Sequence, residues 1–338
     1  MTPARLTTNM EETMQNKSIS LAARAIALAL AACAVGAQAE SWPTKPIRLI
    51  VPGAPGTPAD TAARALADAV AEKLGQPVVV ENRAGAQGTL GLGALIKAAP
   101  DGYTIGMITM QLSAIPALRK QAPFDLGRDL APIVQMTTES PVFVVRRDLP
   151  VSSMKEFVAY AKARPGDITY GTPGPGSPAH LGVELVSRSF GLQLRHVPYK
   201  SISMALTDVA GGQIDAALAG SAAALTGLAS GRIKALAVSS PARLKALPDV
   251  PTLAEAGLAD VDIRGWVGMA APAGTPPAIV GRLNMAFNQA LARPDMRERL
   301  QSVGAEAAGG TSAAFGAFIA AEAARWRAVI ESAHISAD

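Results

Sequence analysis

One arrangement is written twice in this 338-residue chain, and it constrains the fold more than any other feature. The first copy begins with the apolar run IRLIV over residues 47–51, suited to a strand buried on both faces. The loop PGAPGTPAD over 52–60 follows. A helical stretch then carries Leu66, Val70 and Leu74 at i, i+4 and i+8 on one face. Gly75 stops it, and residues 78–80 supply the next strand. About 120 residues later the order repeats. Residues 168–171 read as a strand and TPGPGSP over 172–178 as a loop. His180 opens a helix that stops near Gly191, and residues 192–197 form the following strand. Short β-branched runs alternating with Ala-rich helices are the pattern of stacked βαβ units, so the class is α/β. Two copies predict two similar lobes, and the length agrees, at roughly 100–200 residues per domain.

The paired loops carry the functional argument. A helix N-terminus presents unpaired N–H groups and a partial positive charge, which attract an anion. Glycine lets a ligand approach the main chain, while proline holds a loop rigid and lowers the ordering entropy of binding. In open α/β sheets such loops lie at the carboxyl ends of strands, where ligands bind. Two of them facing each other would make a cleft for a small carboxylate. Tight turns with no ligand are the competing reading of each loop alone.

Composition removes several other classes. The chain is 49% hydrophobic and 17% charged, with 31 Gly and 25 Pro, which excludes a disordered polypeptide. One cysteine excludes a disulfide scaffold and a thiolate metal cluster. Three histidines, His180, His196 and His334, leave little for a His-based metal site, so no metal and no cofactor is expected. A net charge of +4 without a Lys/Arg run argues against a nucleic-acid partner. The N-terminal stretch reads as an export signal. Lys17 and Arg24 precede an Ala/Leu-rich segment over residues 25–35 that ends in Ala37, Gln38 and Ala39, an A-x-A cleavage site. That assigns residues 1–39 to a signal peptide, with Met14 as an alternative start, and Glu40 as the first mature residue. Residues 30–33 also resemble a lipoprotein cleavage box, which would leave Cys33 lipidated. Either route takes the protein across the inner membrane to the periplasm.

Enzyme motifs are sparse. Residues 174–179 formally match G-x-G-x-x-A. Two prolines there lack N–H donors, however, and the strand after them ends in His196 and Val197 with no ribose-binding acid. There is no G-x-x-x-x-G-K-[ST] and no G-x-S-x-G, and neither Ser177 nor Ser221 has a motif partner. His180 reads equally as a loop-bracing residue or a ligand contact, and His196 as structural. Asp60 reads as the cap of the first helix, or as a carboxylate recognising a ligand amine. Trp266, Trp326 and the methionines read as packing residues. A secreted α/β hydrolase or transferase acting on a carboxylate through His180 or His196 is the alternative function.

The wording of the chain then shows a resemblance. Residues 42–52 (WPTKPIRLIVP), 74–83 (LGQPVVVENR) and 100–104 (PDGYT) look like the opening of the Bug family. The likeness continues through 196–200 (HVPYK), 205–208 (ALTD), 211–215 (GGQID), 247–252 (LPDVPT), 255–257 (EAG) and 271–276 (APAGTP). It covers essentially all of residues 41–332. These are the TctC-like periplasmic solute-binding proteins of tripartite tricarboxylate transporters. The resemblance implies an α/β, two-lobed type II periplasmic binding protein, a Venus flytrap whose lobes are each a doubly wound mixed sheet. It implies capture of a small carboxylate, no catalysis, two integral membrane subunits as partners, and a monomer. Residues 44–140 and 267–338 are expected to form the first lobe and 141–266 the second. The ligand-binding positions carried over are Gly53, Ala54, Pro55, Gly56, Thr57 and Asp60, then Thr109, Gln111 and Ser113. In the second lobe they are Thr172, Gly174, Gly176, Ser177 and His180, with Gly220 and Ser221. This chain departs from the family pattern at Gly53, at Gly56 and Thr57, at Ser201 and Met204, and at 219–221. A less polar pocket follows, suited to a ligand with one carboxylate and an apolar body.

Overall fold

A computed structural model describes residues 42–119, 123–258, 263–302 and 304–333. The expected signal segment, with Cys33 and Met14, and also His334, lies outside the described residues.

From Lys45 onward the chain builds two mixed sheets. The first has the order β11-β4-β10-β3-β1-β2 and the second β7-β6-β8-β5-β9. In the first, β1 (Ile47–Val51) runs parallel to β2 (Val78–Asn82) and β3 (Thr104–Thr109). The antiparallel strand β10 (Gly265–Pro272) joins β3 to β4 (Leu130–Glu139), and the short β11 (Glu306–Ala307) closes the edge. In the second sheet, β6 (Thr169–Thr172) lies parallel between β7 (Arg195–Pro198) and β8 (Ala216–Ala219). There β5 (Val142–Arg146) runs antiparallel to β8 and to β9 (Ile233–Val238). The chain passes from one sheet to the other between Glu139 and Val142 and comes back after β9 to enter β10. That is the two-lobed α/β architecture expected from the repeat.

The repeated helices obey the same capping rules. Helix α1 (Pro58–Leu74) has Thr57 as N-cap, Pro at its first position, and Gly75 in the left-handed region at φ 71°. Its Leu66 and Val70 are fully buried. Four more helices lead to the second copy: α2 (Thr89–Ile96), α3 (Met110–Leu118), α4 (Leu126–Asp129) and α5 (Met154–Lys162). Helix α6 (Pro178–Phe190) then repeats the scheme of α1, with Ser177, Pro178 and Gly191. An accepting side chain at the N-cap, proline where no donor is needed, and glycine where φ is positive are each the low-energy choice.

The strand after α6 starts later than the sequence suggests. Leu192 donates its N–H to the carbonyl of Ser187, so the residues after Gly191 finish the helix terminus before β7 begins at Arg195. Helices α7 (Ile202–Ala210) and α8 (Ser221–Ala229) flank β8. At the C-terminal end, α9 (Pro277–Ala292) packs on α1 and β4, and α10 (Pro294–Ser302) beside it. Helix α11 (Ser312–Ala333) lies against α3 and β4 and also touches α6, burying Trp326 completely. No helix among the described residues is long and apolar enough to cross a membrane.

Candidate ligand-binding cleft

The two Pro/Gly loops come out differently from a pair of free amide nests. Thr57 Oγ1 accepts the N–H of Asp60 at 3.3 Å, and the Asp60 carboxylate accepts the N–H of Gly56 at 2.9 Å. Thr57 is therefore the cap, and Asp60 is its reciprocal partner rather than the cap itself. Asp60 is almost fully buried and also bonds Arg64 (3.1 Å) and Asn82 (2.8 Å). The Arg64 bond is the main force holding its carboxyl down at about 2. In the second loop Ser177 caps α6 through the N–H of His180. Gly176 donates its N–H to His180 Nδ1 at 3.1 Å, and Gly174 donates to Thr172 Oγ1 at 3.1 Å. These amides are already satisfied by the protein's own side chains.

His180 belongs to a stack. Its ring lies 4.1 Å from that of His196, which lies 5.1 Å from Tyr170, and His196 Nε2 meets Thr172 Oγ1 at 2.6 Å. Burial pushes both histidines down to about 4, so at neutral pH both are uncharged. The bond from Gly176 makes Nδ1 of His180 an acceptor, which puts its proton on Nε2. His180 thus braces its loop, and neither histidine borders the main cavity.

That cavity is a cleft of about 460 Å³ between elements of the two sheets. Two other helix starts open onto it. Helix α3 follows β3 directly at Thr109, and α8 follows β8 directly at Gly220; in neither does a side chain cap the first turn. Met110 and Gln111 at the start of α3, and Ala222 and Ala223 at the start of α8, line the cleft. An uncapped N-terminus keeps its donors and its partial positive charge for whatever enters. The rest of the wall is mostly apolar, including Met107, Met136, Pro141, Ile202, Leu218 and Trp266. Met107, Met110 and Met136 are thus core residues on one side and cleft wall on the other.

Trp266 is held in place from behind. Its Nε1–H donates to the buried Glu322 at 2.8 Å, the Trp326 indole donates to the same oxygen at 3.1 Å, and Arg325 neutralises the charge at 2.6 Å. Phe315 and Phe318 meet the Trp266 ring edge-on at 5.8 and 5.4 Å.

Glu139 is the one ionisable side chain among the described residues of the wall. It ends β4, paired with Gly265 of β10, and its carboxylate lies against Gly220, so closely that a methyl group there would collide with Oε1. No described residue gives it a hydrogen bond or an ion pair. Burial alone pushes its carboxyl up to about 7. Nothing in the sequence motifs pointed to it, although an acid ending an apolar strand just before the proline of a lobe crossing is a visible signal.

Of the positions expected from sequence, Thr57, Thr109, Gln111 and Gly220 line the cleft. Gly53, Ala54, Pro55 and Gly56 form the loop before Thr57, and Asp60 lies beneath it. Thr172, Gly174, Gly176, Ser177 and His180 are tied into the bracing network just described. Ser113 donates to the carbonyl of Met110 at 2.6 Å, inside the first turn of α3. Ser221 donates to the carbonyl of Gly304 at 2.9 Å, linking α8 to the segment between α10 and β11. Among the described residues no group of three His, Cys, Asp or Glu could hold a metal ion.

Comparison with known proteins places this geometry. Protein BugT of Bordetella pertussis is 36% identical over 321 residues, covering 93% of this chain and 97% of its own. An R. palustris protein solved with adipate superposes at a TM-score of 0.76 with 32% identity, covering 87% of this chain and 99% of its own. MatC of Rhodopseudomonas palustris, solved with bound malate, gives 0.73 and 31%, covering 86% and 100%. The family model described as "Tripartite tricarboxylate transporter family receptor" matches residues 62–335. With the matched span running from α1 to the end of α11, the chain belongs to the tripartite tricarboxylate transporter receptor family.

Proposed function

We propose that this protein is an exported solute-binding receptor that captures a small carboxylate between its lobes and performs no chemistry on it. The observation that carries the reading is the cleft itself. Two uncapped helix N-termini, one from each sheet, open onto a cavity whose described wall contains no Lys or Arg. A carboxylate there is held by main-chain N–H groups of the first turns of α3 and α8, with Thr57, Thr109 and the Gln111 amide as side-chain contacts. The first loop, from Gly53, and the second, through Ser177, shape the rim. The relatives solved with adipate and malate support a carboxylate as the ligand class.

In this reading the first lobe comprises residues 44–140 and 267–338, and the second 141–266. The lobes close on the ligand about the two crossings and present it, from a monomer in the periplasm, to two membrane subunits. The test is a calorimetric and thermal-shift screen of mono- and dicarboxylates, with mass analysis of each ligand after prolonged incubation. Saturable binding with the ligand recovered intact is expected. Binding by no carboxylate, or appearance of a product, refutes it. A His180→Ala variant should lose stability yet keep measurable affinity.

A further inference from the structure

The cleft holds both signs of potential side by side, because the Glu139 carboxylate lies against Gly220 at the start of α8. The first turns of α3 and α8 supply positive potential, and Glu139 supplies the single formal charge of the described wall, which is negative. Around them stand methionines, Pro141, Ile202, Leu218 and the Trp266 ring. A simple carboxylate matches the helix starts only and meets the acid that lies beside one of them. A dicarboxylate would bring two further negative charges to a site whose described wall has no cationic side chain. A ligand that carries an ammonium beside its carboxylate matches the acid and the helix start next to it, and an aliphatic or aromatic body matches the wall.

We infer that the preferred ligand is a zwitterion, an amino acid or close analogue with an apolar side chain, whose ammonium group pairs with Glu139. This deepens the solute-binding reading and rests on it. Each part of the inference has its own residue. The pairing needs an acid with no internal partner, and no described residue bonds Glu139. It needs that acid on the ligand's path, and Glu139 lines the cleft beside Gly220, the residue from which α8 starts. It also needs the charge to be costly when unpaired, because only then does an ammonium gain over plain hydration. Burial without a counter-charge meets that condition, and the raised carboxyl pKa of about 7 is its measure. A volume of about 460 Å³ admits a ligand of this size.

Proton linkage gives the inference a sign. An ammonium beside Glu139 favours its charged form, so binding near pH 7 releases protons. A bare carboxylate favours the neutral form, so binding takes protons up. The groups packed around Glu139 do not confuse the reading. Gly265 of β10 pairs with it, Gly220 lies against it from the start of α8, and Thr138 and Ser140 are its neighbours in sequence. Arg264, which precedes β10, and Glu306 of β11 do not border the cleft.

The experiment compares leucine with 4-methylpentanoate and phenylalanine with 3-phenylpropanoate, alongside malate and adipate. It uses calorimetry in buffers of different ionisation enthalpy, on wild-type protein and on Glu139→Gln. Expected in the wild type is a preference of tenfold or more for the amino acid of each pair, with proton release. In Glu139→Gln the preference should fall to within about threefold, while the deaminated acids bind as tightly as before or better. Three results overturn the inference alone: deaminated acids binding as tightly as their amino acids, proton uptake with leucine or phenylalanine, or tightest binding of a dicarboxylate. An undiminished preference in Glu139→Gln does so as well. If no carboxylate of any kind binds the wild type, the receptor reading fails too, so the two failures are told apart. Glu139→Asp, which keeps the charge and shortens the arm, covers the case in which the glutamine variant does not fold.

Discussion

Glu139→Gln should stabilise the ligand-free protein at high pH and leave it almost unchanged at low pH. The folded-state carboxyl, pushed to about 7 from an ordinary 4.5, lies above its unfolded value. The folded state therefore binds the proton more tightly, and the stability this group contributes is fully present below about pH 4.5. It is lost as pH rises through 7. Carried to completion, the loss is about 3 kcal/mol, at about 1.4 kcal/mol per pH unit separating the two values. Glutamine has nearly the shape of protonated glutamate and carries no charge. The gain from the variant is then about 1 kcal/mol at pH 5, where the unfolded acid is already mostly ionised, and about 3 kcal/mol at pH 8.5. Urea denaturation of both proteins at the two pH values measures it, and every other titrating group cancels in the difference. A gain equal at both pH values would mean that Glu139 is not desolvated. A loss at pH 8.5 would mean that it has a partner.

Gly268→Ala would drive a methyl group into the ring of Phe315, displacing the aromatic cluster behind Trp266. A loss of about 1–3 kcal/mol is expected in chemical denaturation, with a change in tryptophan fluorescence, and a silent substitution would refute the packing. Ser221→Ala removes the bond from α8 to Gly304, worth about 1 kcal/mol. Carboxylate affinity should fall about fivefold and the ligand-free protein should expand in X-ray scattering. An unchanged radius of gyration would show that the bond does not hold the lobes. The folded His180 and His196 titrate at about 4, below the unfolded value near 6.5. Their contribution to stability is thus present above pH 6.5 and lost as pH falls towards 4. Proton NMR should show both rings still neutral at pH 5.5 in the folded protein, whereas midpoints near 6.5 would contradict the stacked, buried arrangement.

Much of the fold was legible because its signals are local. IRLIV at 47–51 is the strand it reads as, and Thr57 with Pro58, like Ser177 with Pro178, marks a helix start that the backbone adopts. The same loops misled where the reading depended on who accepts from whom. Proline and glycine announce a turn, but only folded geometry shows that Asp60 turns back to Gly56 and that His180 turns back to Gly176. The helix starts that face the cleft uncapped were legible only through the family resemblance, which carried over Thr109, Gln111 and Gly220, and gave no signal of their own for the opposite reason. Met110 and Ser221 follow their strands without a loop, and a missing cap has no letter in the sequence. Glu139 was hidden by distance, since its neighbour Gly220 lies 81 positions away and only the pairing of β5 with β8, just past the crossing from β4, brings them together.

The position of Glu139 also ties recognition to closure. It is the last residue of β4, immediately before the chain crosses to the second sheet, while Gly220 begins a helix of that second sheet. The carboxylate meets Gly220 only when the two sheets stand as they do here. This arrangement therefore carries the cost of a desolvated charge that a more open one would return to water. A ligand shifts such an equilibrium only by binding one state better than the other. One that brings a cation to Glu139 does so at the crossing itself. It relieves up to the same roughly 3 kcal/mol that burial imposes, enough to move the closed population by about two orders of magnitude. A ligand without that cation leaves the acid to be protonated instead, and its closure would weaken as pH rises through 7. If the ammonium pairing holds, recognition and closure would both rest on one side chain at the crossing.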